Sequence, residues 1–213
     1  LLGADLRADP LIALPPAPPL SREAYQLILD FEVGGGRAYY ERFLIHPEWP
    51  GLASGITVAI GYDCGYNSPD VIRGDFRALP ERERLAAVSG LTGAAARARL
   101  NTVRDILVQW DLAEGVFNEV TIPRFWQLTC RTFPGFERLH PNAQGALLSL
   151  VFNRGGSLAG PGRVEMREIA RLSPGINYRA MAAQVRAMKR LWPDTPGLLR
   201  RREAEARLLE SCQ

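Results

Sequence analysis

A glutamate two residues before three consecutive glycines is the first feature of this chain that could serve chemistry. Glu32 ends a predicted short helix that is capped by Ser21 and terminated by Gly34-Gly35-Gly36. The C-terminal end of a helix carries partial negative charge, which disfavours a second negative charge on a carboxyl placed there. We therefore expect Glu32 to be held protonated near neutral pH, as a general acid requires. An ordinary surface glutamate is the alternative interpretation.

A hydroxyl and a second carboxylate follow in the segment from Ser54 to Gly65. Its alternation places Thr57 on the face opposite its apolar neighbours, while Gly61 and Gly65 allow the backbone to turn or to be approached closely. Asp63 lies just beyond the end of the predicted strand. Together Thr57 and Asp63 could hold and activate a water molecule opposite the acid on the helix. A solvent-facing threonine and a turn aspartate are the alternative interpretation.

The sequence pattern predicts that the elements positioning these residues form an α+β fold that is predominantly helical. Residues 37–62 predict two or three short strands that pair as a small antiparallel sheet. After Ser68-Pro69, which predicts a helix start, nearly all of the chain is expected to be helical. The predicted helices lie near 69–78, 80–89, 93–112, 122–133, 141–153, 162–172, 177–191 and 196–211. A cleft is expected where the sheet lobe meets the larger helical lobe.

Composition limits the class of protein and its organisation. The 213 residues, 46% of them hydrophobic and 23% charged, predict one domain over residues 21–213 with a proline-rich tether over residues 1–20. Apolar runs fall short of the roughly 20 residues that a membrane-spanning helix needs. Three cysteines far apart favour neither a disulfide framework nor a thiolate metal site. The net charge of +3 suits weak attraction to anionic polymers.

The order of these motifs resembles the bacteriophage-type lysozyme superfamily, and most closely its pesticin-like muramidase domains. The resemblance covers about residues 21–211. It rests on Glu32 before the glycines, on an aromatic strand with Tyr39 and Tyr40, and on the spacing of Thr57 and Asp63. Two C-terminal segments also carry it, from Gln144 to Gly155 and from Gly197 to Ala204. The resemblance implies a lysozyme-like fold in which a small antiparallel sheet lobe and a helical lobe flank a cleft.

The implied activity is hydrolysis of the β-1,4 bond between N-acetylmuramic acid and N-acetylglucosamine in peptidoglycan. Glu32 would protonate the leaving oxygen, Asp63 would orient or deprotonate the attacking water or stabilise charge on the sugar, and Thr57 would help to place that water. Cleavage of a glycosidic bond needs one acid and one carboxylate, so no metal and no other cofactor is expected. We favour inversion, which requires about 6.5 to 9.5 Å between the carboxyls.

One departure from the family pattern leaves the second carboxylate open. Phage lysozymes usually place an aspartate nine residues after the acid, whereas here that position is Glu41 and Thr57 comes later. An insertion of roughly ten residues around His46 to Ser54 would account for the difference. Glu41 is therefore a rival of Asp63, although a salt-bridge role between strands or lobes is the preferred interpretation of Glu41.

Further residues are candidates for binding the sugar strand. Asn153 and Arg154 precede Gly155 at the end of an apolar helix, where an amide could bond an N-acetyl group or could simply cap the helix. Tyr62 and Glu41 complete the substrate-binding candidates. Trp49 and Trp126 could also stack on sugars, although aromatic residues in so helical a chain are usually core.

The sequence gives less support to other function classes. A cysteine amidase would need Cys64 or Cys130 to lie beside His46 or His140. The sequence around these cysteines does not indicate an activated thiolate. A nucleic-acid-binding domain would use arginine-rich helices, but their arginines alternate with acids as on ordinary solvated faces. A phage endolysin of the same activity and an inactive cell-wall-binding module are the remaining alternatives.

The expected partner is the peptidoglycan glycan strand, and an immunity protein is a second candidate partner. Binding to nucleic acid and insertion into a membrane are not expected, and the chain is expected to act as a monomer. Because this segment has no signal peptide, we expect synthesis in the bacterial cytoplasm and action on the periplasm or wall of a target cell after delivery. The proline-rich segment suggests the catalytic end of a longer toxin or secreted effector.

Overall fold

The computed structural model describes residues 20–34 and 36–212. The predicted tether over residues 1–20 therefore lies outside the described residues, except for Leu20. Described residues divide into two compact units. The first unit contains residues 32–124 and the second contains residues 20–31 and 125–212.

The structure is 67% helical with a small two-stranded antiparallel sheet, which confirms the predominantly helical α+β prediction. The strands are β1 (Thr57–Val58) and β2 (Tyr62–Asp63). The helices of the described part are α1 (Arg22–Val33), α2 (Gly36–Phe43), α3 (Pro69–Asp75), α4 (Arg82–Ala86), α5 (Gly93–Arg99), α6 (Trp110–Val116), α7 (Ile122–Thr132), α8 (Pro141–Arg154), α9 (Val164–Leu172), α10 (Tyr178–Ala187) and α11 (Pro196–Glu210).

The aromatic segment after the glycines is a helix, so the prediction of a strand with Tyr39 and Tyr40 was wrong. Its sequence carries two pairs at helical spacing, an Arg37–Glu41 ion pair and a Tyr39–Phe43 ring contact with centroids 4.8 Å apart. Tyr40 is fully buried, and its hydroxyl donates to the Val108 carbonyl oxygen at 2.7 Å. Packing of this one ring against the first unit outweighs the strand preference of aromatic residues.

The helix predicted over residues 93–112 is interrupted. After α5 a short 3-10 turn spans Leu100–Thr102, and residues 103–109 are irregular before α6 begins. Val103, Ile106 and Val108 are almost completely buried there, and the Val108 amide donates to the Ile45 carbonyl at 2.9 Å. Pairing with a distant segment therefore replaces the intrahelical bonds that local sequence favours.

The sheet is a tight hairpin of β1 and β2, which confirms the prediction of a small antiparallel sheet. The predicted place of Asp63 just beyond a strand was wrong, since Asp63 lies within β2. Thr57 pairs with Asp63 and Val58 with Tyr62, and Glu48 adds an isolated bridge to Thr57. The turn between the strands contains two left-handed residues, Ala59 (φ 52°) and Gly61 (φ 71°). The turn role predicted for Gly61 is thus confirmed.

The second unit is built around α8, where every residue from Ala143 to Phe152 is buried. Gly145 faces Ala24 of α1 so closely that a Cβ at Gly145 would lie 2.9 Å from the Ala24 Cα. This glycine therefore allows α1 to cross α8 in contact. Of the helices in the described ranges, none is long and apolar enough to cross a bilayer.

Candidate functional site

The hairpin brings two of the predicted site residues together. Thr57 in β1 and Asp63 in β2 are direct partners across the antiparallel pair, and both are partly exposed. Partner side chains in such a pair lie on the same face of the sheet, with Cβ atoms about 4.5 to 5.5 Å apart. A hydroxyl and a carboxylate are thus adjacent at the end of the hairpin, in an arrangement that can hold one water molecule between them.

Two backbone amides fix the Asp63 carboxylate. One oxygen accepts from the Gly65 N–H at 2.8 Å and the other from the Gly55 N–H at 3.0 Å. The first of these bonds caps the 3-10 turn Cys64–Tyr66. Because both oxygens are held, the carboxylate has a defined orientation, as a general base needs.

Burial and hydrogen bonding act on Asp63 in opposite directions. Removal from water raises the pKa of its carboxyl, and the two amide donors lower it, with a net rise above the ordinary value. Ionised Asp63 is therefore more basic than an exposed aspartate. This change favours the acceptance of a proton from water.

Gly55 and Gly65 make this arrangement sterically feasible. A Cβ on Gly55 would overlap the Asp63 carboxylate and would lie 2.6 Å from the Gly65 Cα. A Cβ on Gly65 would lie 2.5 Å from the Leu91 carbonyl oxygen and 2.8 Å from the Gly55 Cα. The close approach predicted for Gly65 is confirmed, and Gly55 is a glycine of equal importance that the sequence did not single out.

Substitution of Gly55 tests this steric requirement. We expect Gly55→Ala to lower the free energy of unfolding by about 1–3 kcal/mol, because the added methyl must displace backbone or the carboxylate. Gly115→Ala in α6 is the matched control, since a Cβ there meets nothing within 4 Å and alanine favours a helix. Urea titrations of both variants measure the difference. Equal stability of the two variants would contradict the close approach.

Glu32 occupies the predicted position at the end of a helix. It is the penultimate residue of α1, is partly buried, and precedes Gly34, whose φ of +57° ends the helix. It belongs to the first unit, as do Thr57 and Asp63. The proposed acid, hydroxyl and second carboxylate therefore come from one compact part of the chain.

Glu41 lies on α2, where its carboxylate accepts from Arg37 Nε at 2.7 Å. The pair is well exposed, with 43% of the Glu41 side chain accessible, and Arg37 also reaches Asp111 at 3.3 Å. The preferred salt-bridge interpretation of Glu41 thus has a specific form, a pair within one helix and not between strands. Neither contact gives Glu41 the fixed orientation that Asp63 has.

Tyr62 is a core residue of the hairpin. Only 4% of it is exposed, its ring meets Phe76 edge to face at 4.9 Å, and its hydroxyl donates to Asp75 at 2.6 Å. A ring buried in this way presents no face to a sugar, so we assign Tyr62 a structural role. Arg124 completes the cluster by contacting Asp75 at 2.7 Å.

Asn153 and Arg154 lie in the second unit, at the end of α8. The predicted helix end is confirmed, since Gly155 is the C-cap with φ 72°. Asn153 is partly exposed, whereas Arg154 is 9% exposed and donates to the Gly162 carbonyl at 2.7 Å. The Arg154 guanidinium also lies 4.8 Å from the Trp192 ring centroid. Of these two candidates, Asn153 is the more accessible to a ligand.

The two tryptophans considered for stacking have different environments. Trp126 is 2% exposed and packs edge to face on Phe136, as a core residue does. Trp49 is partly exposed, donates from its indole to the Ser54 carbonyl at 3.0 Å, and has Arg97 5.6 Å from its ring centroid. Trp49 therefore remains a candidate for contact with a sugar.

Sequence reasoning missed one residue beside the hairpin. The Asn67 side-chain amide donates to the Asp63 carbonyl at 2.8 Å, and its side-chain oxygen accepts from Arg124 at 3.3 Å. Its place four residues after Asp63 in a turn was the one signal available, and the contact with Arg124 joins positions 57 residues apart. Asn67 therefore belongs to the surroundings of the carboxylate.

In the part of the chain that the structure describes, no group of three or more His, Cys, Asp or Glu side chains could hold a metal ion. The described chemistry is that of a fixed carboxylate beside a hydroxyl. No protein-family model and no curated protein matches this chain.

Proposed function

We propose that this chain is a peptidoglycan hydrolase with a lysozyme-like fold, a muramidase that cleaves the β-1,4 bond between N-acetylmuramic acid and N-acetylglucosamine. One observation carries the proposal: Thr57 and Asp63 face each other across a short hairpin, with both oxygens of the Asp63 carboxylate fixed by backbone amides. Glu32, in the same unit, supplies a second carboxyl at the end of a helix.

The proposed reaction divides the work between the two carboxyl groups. Glu32 donates its proton to the glycosidic oxygen as the bond from that oxygen to the anomeric carbon breaks. A water held by Thr57 and Asp63 adds its oxygen to the anomeric carbon and gives a proton to Asp63. Attack by water from the opposite face inverts the configuration at that carbon, the outcome that we favour.

Mass analysis of the products tests the proposed reaction. Purified peptidoglycan digested by the chain is expected to release fragments with reducing muramic acid ends. Reducing glucosamine ends, anhydro ends or freed peptides would each assign a different bond or mechanism and would contradict the proposal. The anomeric form of the first product, followed by NMR, tests inversion.

Substitution of Asp63 tests its role as the second carboxylate. We expect Asp63→Asn to lower the turnover of purified peptidoglycan about 10²-fold or more, because an amide cannot take a proton from water. In the parent enzyme, activity that needs ionised Asp63 is lost as the pH falls through the raised pKa of this carboxyl. Rate measurements across pH, with circular dichroism to confirm folding, give both results.

Glu41→Gln is the matched comparison for Asp63→Asn. The exposed pair of Glu41 with Arg37 makes little difference to a reaction on the hairpin, so turnover should stay close to that of the parent. A loss of about 10²-fold in Glu41→Gln, with Asp63→Asn unaffected, would transfer the second role to Glu41.

The ion pairs of the C-terminal helices favour this proposal over nucleic-acid binding. Arg186 contacts Glu203 at 3.2 Å and also Glu210, and Lys189 contacts Glu203 at 2.6 Å. Cations that are already paired within the chain are less available to phosphates. Binding to DNA that weakens steeply with salt would argue against this interpretation.

The biological setting follows from the proposed substrate. A muramidase reaches its glycan strands in the cell wall, so we propose action on a target cell after delivery, as the catalytic part of a bacteriolytic toxin or secreted effector. The proline-rich composition of residues 1–20 supports a tether to a further part. We propose that the chain acts as a monomer, and an immunity protein would protect the cell that makes it.

A further inference from the structure

We infer that Asn67 is a positioning residue for Asp63, which it holds in the orientation that activates the attacking water. This inference rests on the proposed function, since it deepens the assignment of Asp63 as the second carboxylate. Asn67 lies in the turn after β2 and is partly exposed. It acts through Asp63 and needs no contact with the substrate.

Asn67 makes hydrogen bonds with its side chain, its backbone N–H and its backbone carbonyl. Its side-chain amide donates to the Asp63 carbonyl at 2.8 Å, and its own backbone amide donates to the Cys64 carbonyl at 3.4 Å. Its backbone carbonyl accepts from the Ser89 hydroxyl at 2.6 Å. The backbone of Asp63 is thereby tied to a residue that is itself anchored to a separate segment.

The Asn67 amide and the Gly65 N–H restrain Asp63 at different points. Gly65 donates to the Asp63 carboxylate at 2.8 Å, whereas Asn67 donates to the Asp63 main-chain carbonyl. The bond to the carbonyl therefore restrains rotation of the peptide unit next to the Asp63 side chain. Without the Asn67 donor, that unit keeps the bond from the Cys64 N–H to the Ile56 carbonyl at 2.9 Å, the hairpin pair with Thr57 and the carboxylate bonds, but its carbonyl loses the side-chain donor.

A rigid cluster orients the Asn67 side chain. Arg124 donates to the Asn67 side-chain oxygen at 3.3 Å and contacts the Asp75 carboxylate at 2.7 Å. Asp75 also accepts from the buried Tyr62 hydroxyl at 2.6 Å. Because Arg124 occupies the oxygen, the amide nitrogen must point toward Asp63. Such orientation by a neighbouring layer is how catalytic groups are kept within a fraction of an ångström.

Two substitutions of Asn67 test the inference. Asn67→Ala removes the donor and the acceptor, whereas Asn67→Asp keeps the size and an acceptor for Arg124 but places a carboxylate against the Asp63 carbonyl. We expect both variants to lower kcat at least about tenfold with little change in KM, since displacement of a reacting group affects the transition state. The exposed Asn101 provides the matched controls, Asn101→Ala and Asn101→Asp.

Hydrogen exchange provides a readout that does not depend on turnover. In Asn67→Ala, the Gly55 and Gly65 amides should exchange at least about tenfold faster than in the parent, because their bonds to the Asp63 carboxylate are loosened. Amides in the α8 core should keep their protection, which separates loosening of the turn from global destabilisation. In Asn67→Asp, the added charge should move the acidic limb of the rate profile to higher pH, whereas Asn101→Asp should leave it in place.

The outcomes separate this inference from the proposed function. A folded Asn67→Ala or Asn67→Asp with parental kcat and parental exchange at Gly55 and Gly65 would overturn it. A parent chain that releases no muramic acid ends would overturn the proposed function instead, and the exchange experiment would still decide whether Asn67 orients Asp63. If Asn67→Ala does not fold, Asn67→Asp carries the same comparison.

Discussion

Replacement of Glu32 with glutamine is expected to lower the turnover of purified peptidoglycan about 10³-fold, the largest effect on activity that we predict. Glutamine has the size of glutamate but no acidic proton, so the glycosidic oxygen would leave as an unprotonated alkoxide. The penultimate position of Glu32 in α1, beside the turn at Gly34, should be retained because the amide fits the same space. Binding of the glycan strand should therefore change much less than kcat.

The measurement is single-turnover release of soluble muropeptides by the folded variant and by the parent. Glu23→Gln makes the same chemical change in the first turn of the same helix, at an exposed position, and should leave the rate unchanged. Parental turnover by a folded Glu32→Gln would remove Glu32 from the mechanism and with it the proposed acid. A comparable loss in Glu23→Gln would instead indicate a general effect on α1.

The starts of α1, α3, α8 and α11 were predictable because their signals are local. Ser21 accepts from the Ala24 amide at 3.1 Å, and Ser68 precedes Pro69 and accepts from the Val71 amide at 3.4 Å. Pro141 and Pro196 likewise open α8 and α11. A cap and a proline at the first position act within one turn of helix, so a few neighbouring residues suffice to predict them.

The segment after the glycines could not be assigned correctly from local preference. Tyr39, Tyr40 and Phe43 suit a strand as well as a helix, and the decisive contact joins Tyr40 to the distant Val108 carbonyl. The Arg37–Glu41 pair was a local signal of helix that the aromatic residues outweighed. Tertiary packing determined the outcome.

The candidate site likewise has a part that could be predicted from the sequence and a part that could not. The sequence predicted Thr57 and Asp63 side by side with a turn residue at Gly61, but it did not predict that they pair directly across a hairpin. The orientation of the Asp63 carboxylate could not be predicted. It depends on Gly55 and on Asn67, and Asn67 is itself oriented by Arg124 from another segment. A sequence can indicate which groups could react, whereas the bonds that aim them are made between segments.

A buried ionic cluster in the second unit leads to the largest stability effect that we predict. Glu205 is fully buried between Arg202, also fully buried, and Arg201, which is 4% exposed. Its carboxylate lies 2.7 Å from Arg202 Nε and 3.3 Å from Arg201 Nε, and it accepts from the Ser149 hydroxyl at 2.7 Å. One carboxylate thus contacts two guanidinium groups that have little access to water.

Glu205→Gln is expected to lower the free energy of unfolding by about 3–5 kcal/mol, because it leaves the Arg202 guanidinium buried without the carboxylate that it contacts. The pKa of Arg202 is lowered by burial, and the carboxylate opposes that change. Chemical denaturation at neutral pH measures the loss. Glu203→Gln, on the same helix, is the matched control. Its ion pairs are partly open to solvent, so its loss should be much smaller.

A second substitution separates the loss of charge balance from the loss of packing. In Glu205→Gln combined with Arg202→Met, one of the two buried positive charges is gone and an unbranched apolar side chain fills much of the same space. Part of the stability lost in Glu205→Gln should then return, since replacement of buried ion pairs by apolar groups is often neutral. The double variant could instead be less stable than Glu205→Gln by as much as Arg202→Met alone lowers the stability of the parent. In that case packing, and not charge, holds α11 against α8. Recovery would instead show that the buried Arg202 guanidinium, left without its carboxylate, causes the loss.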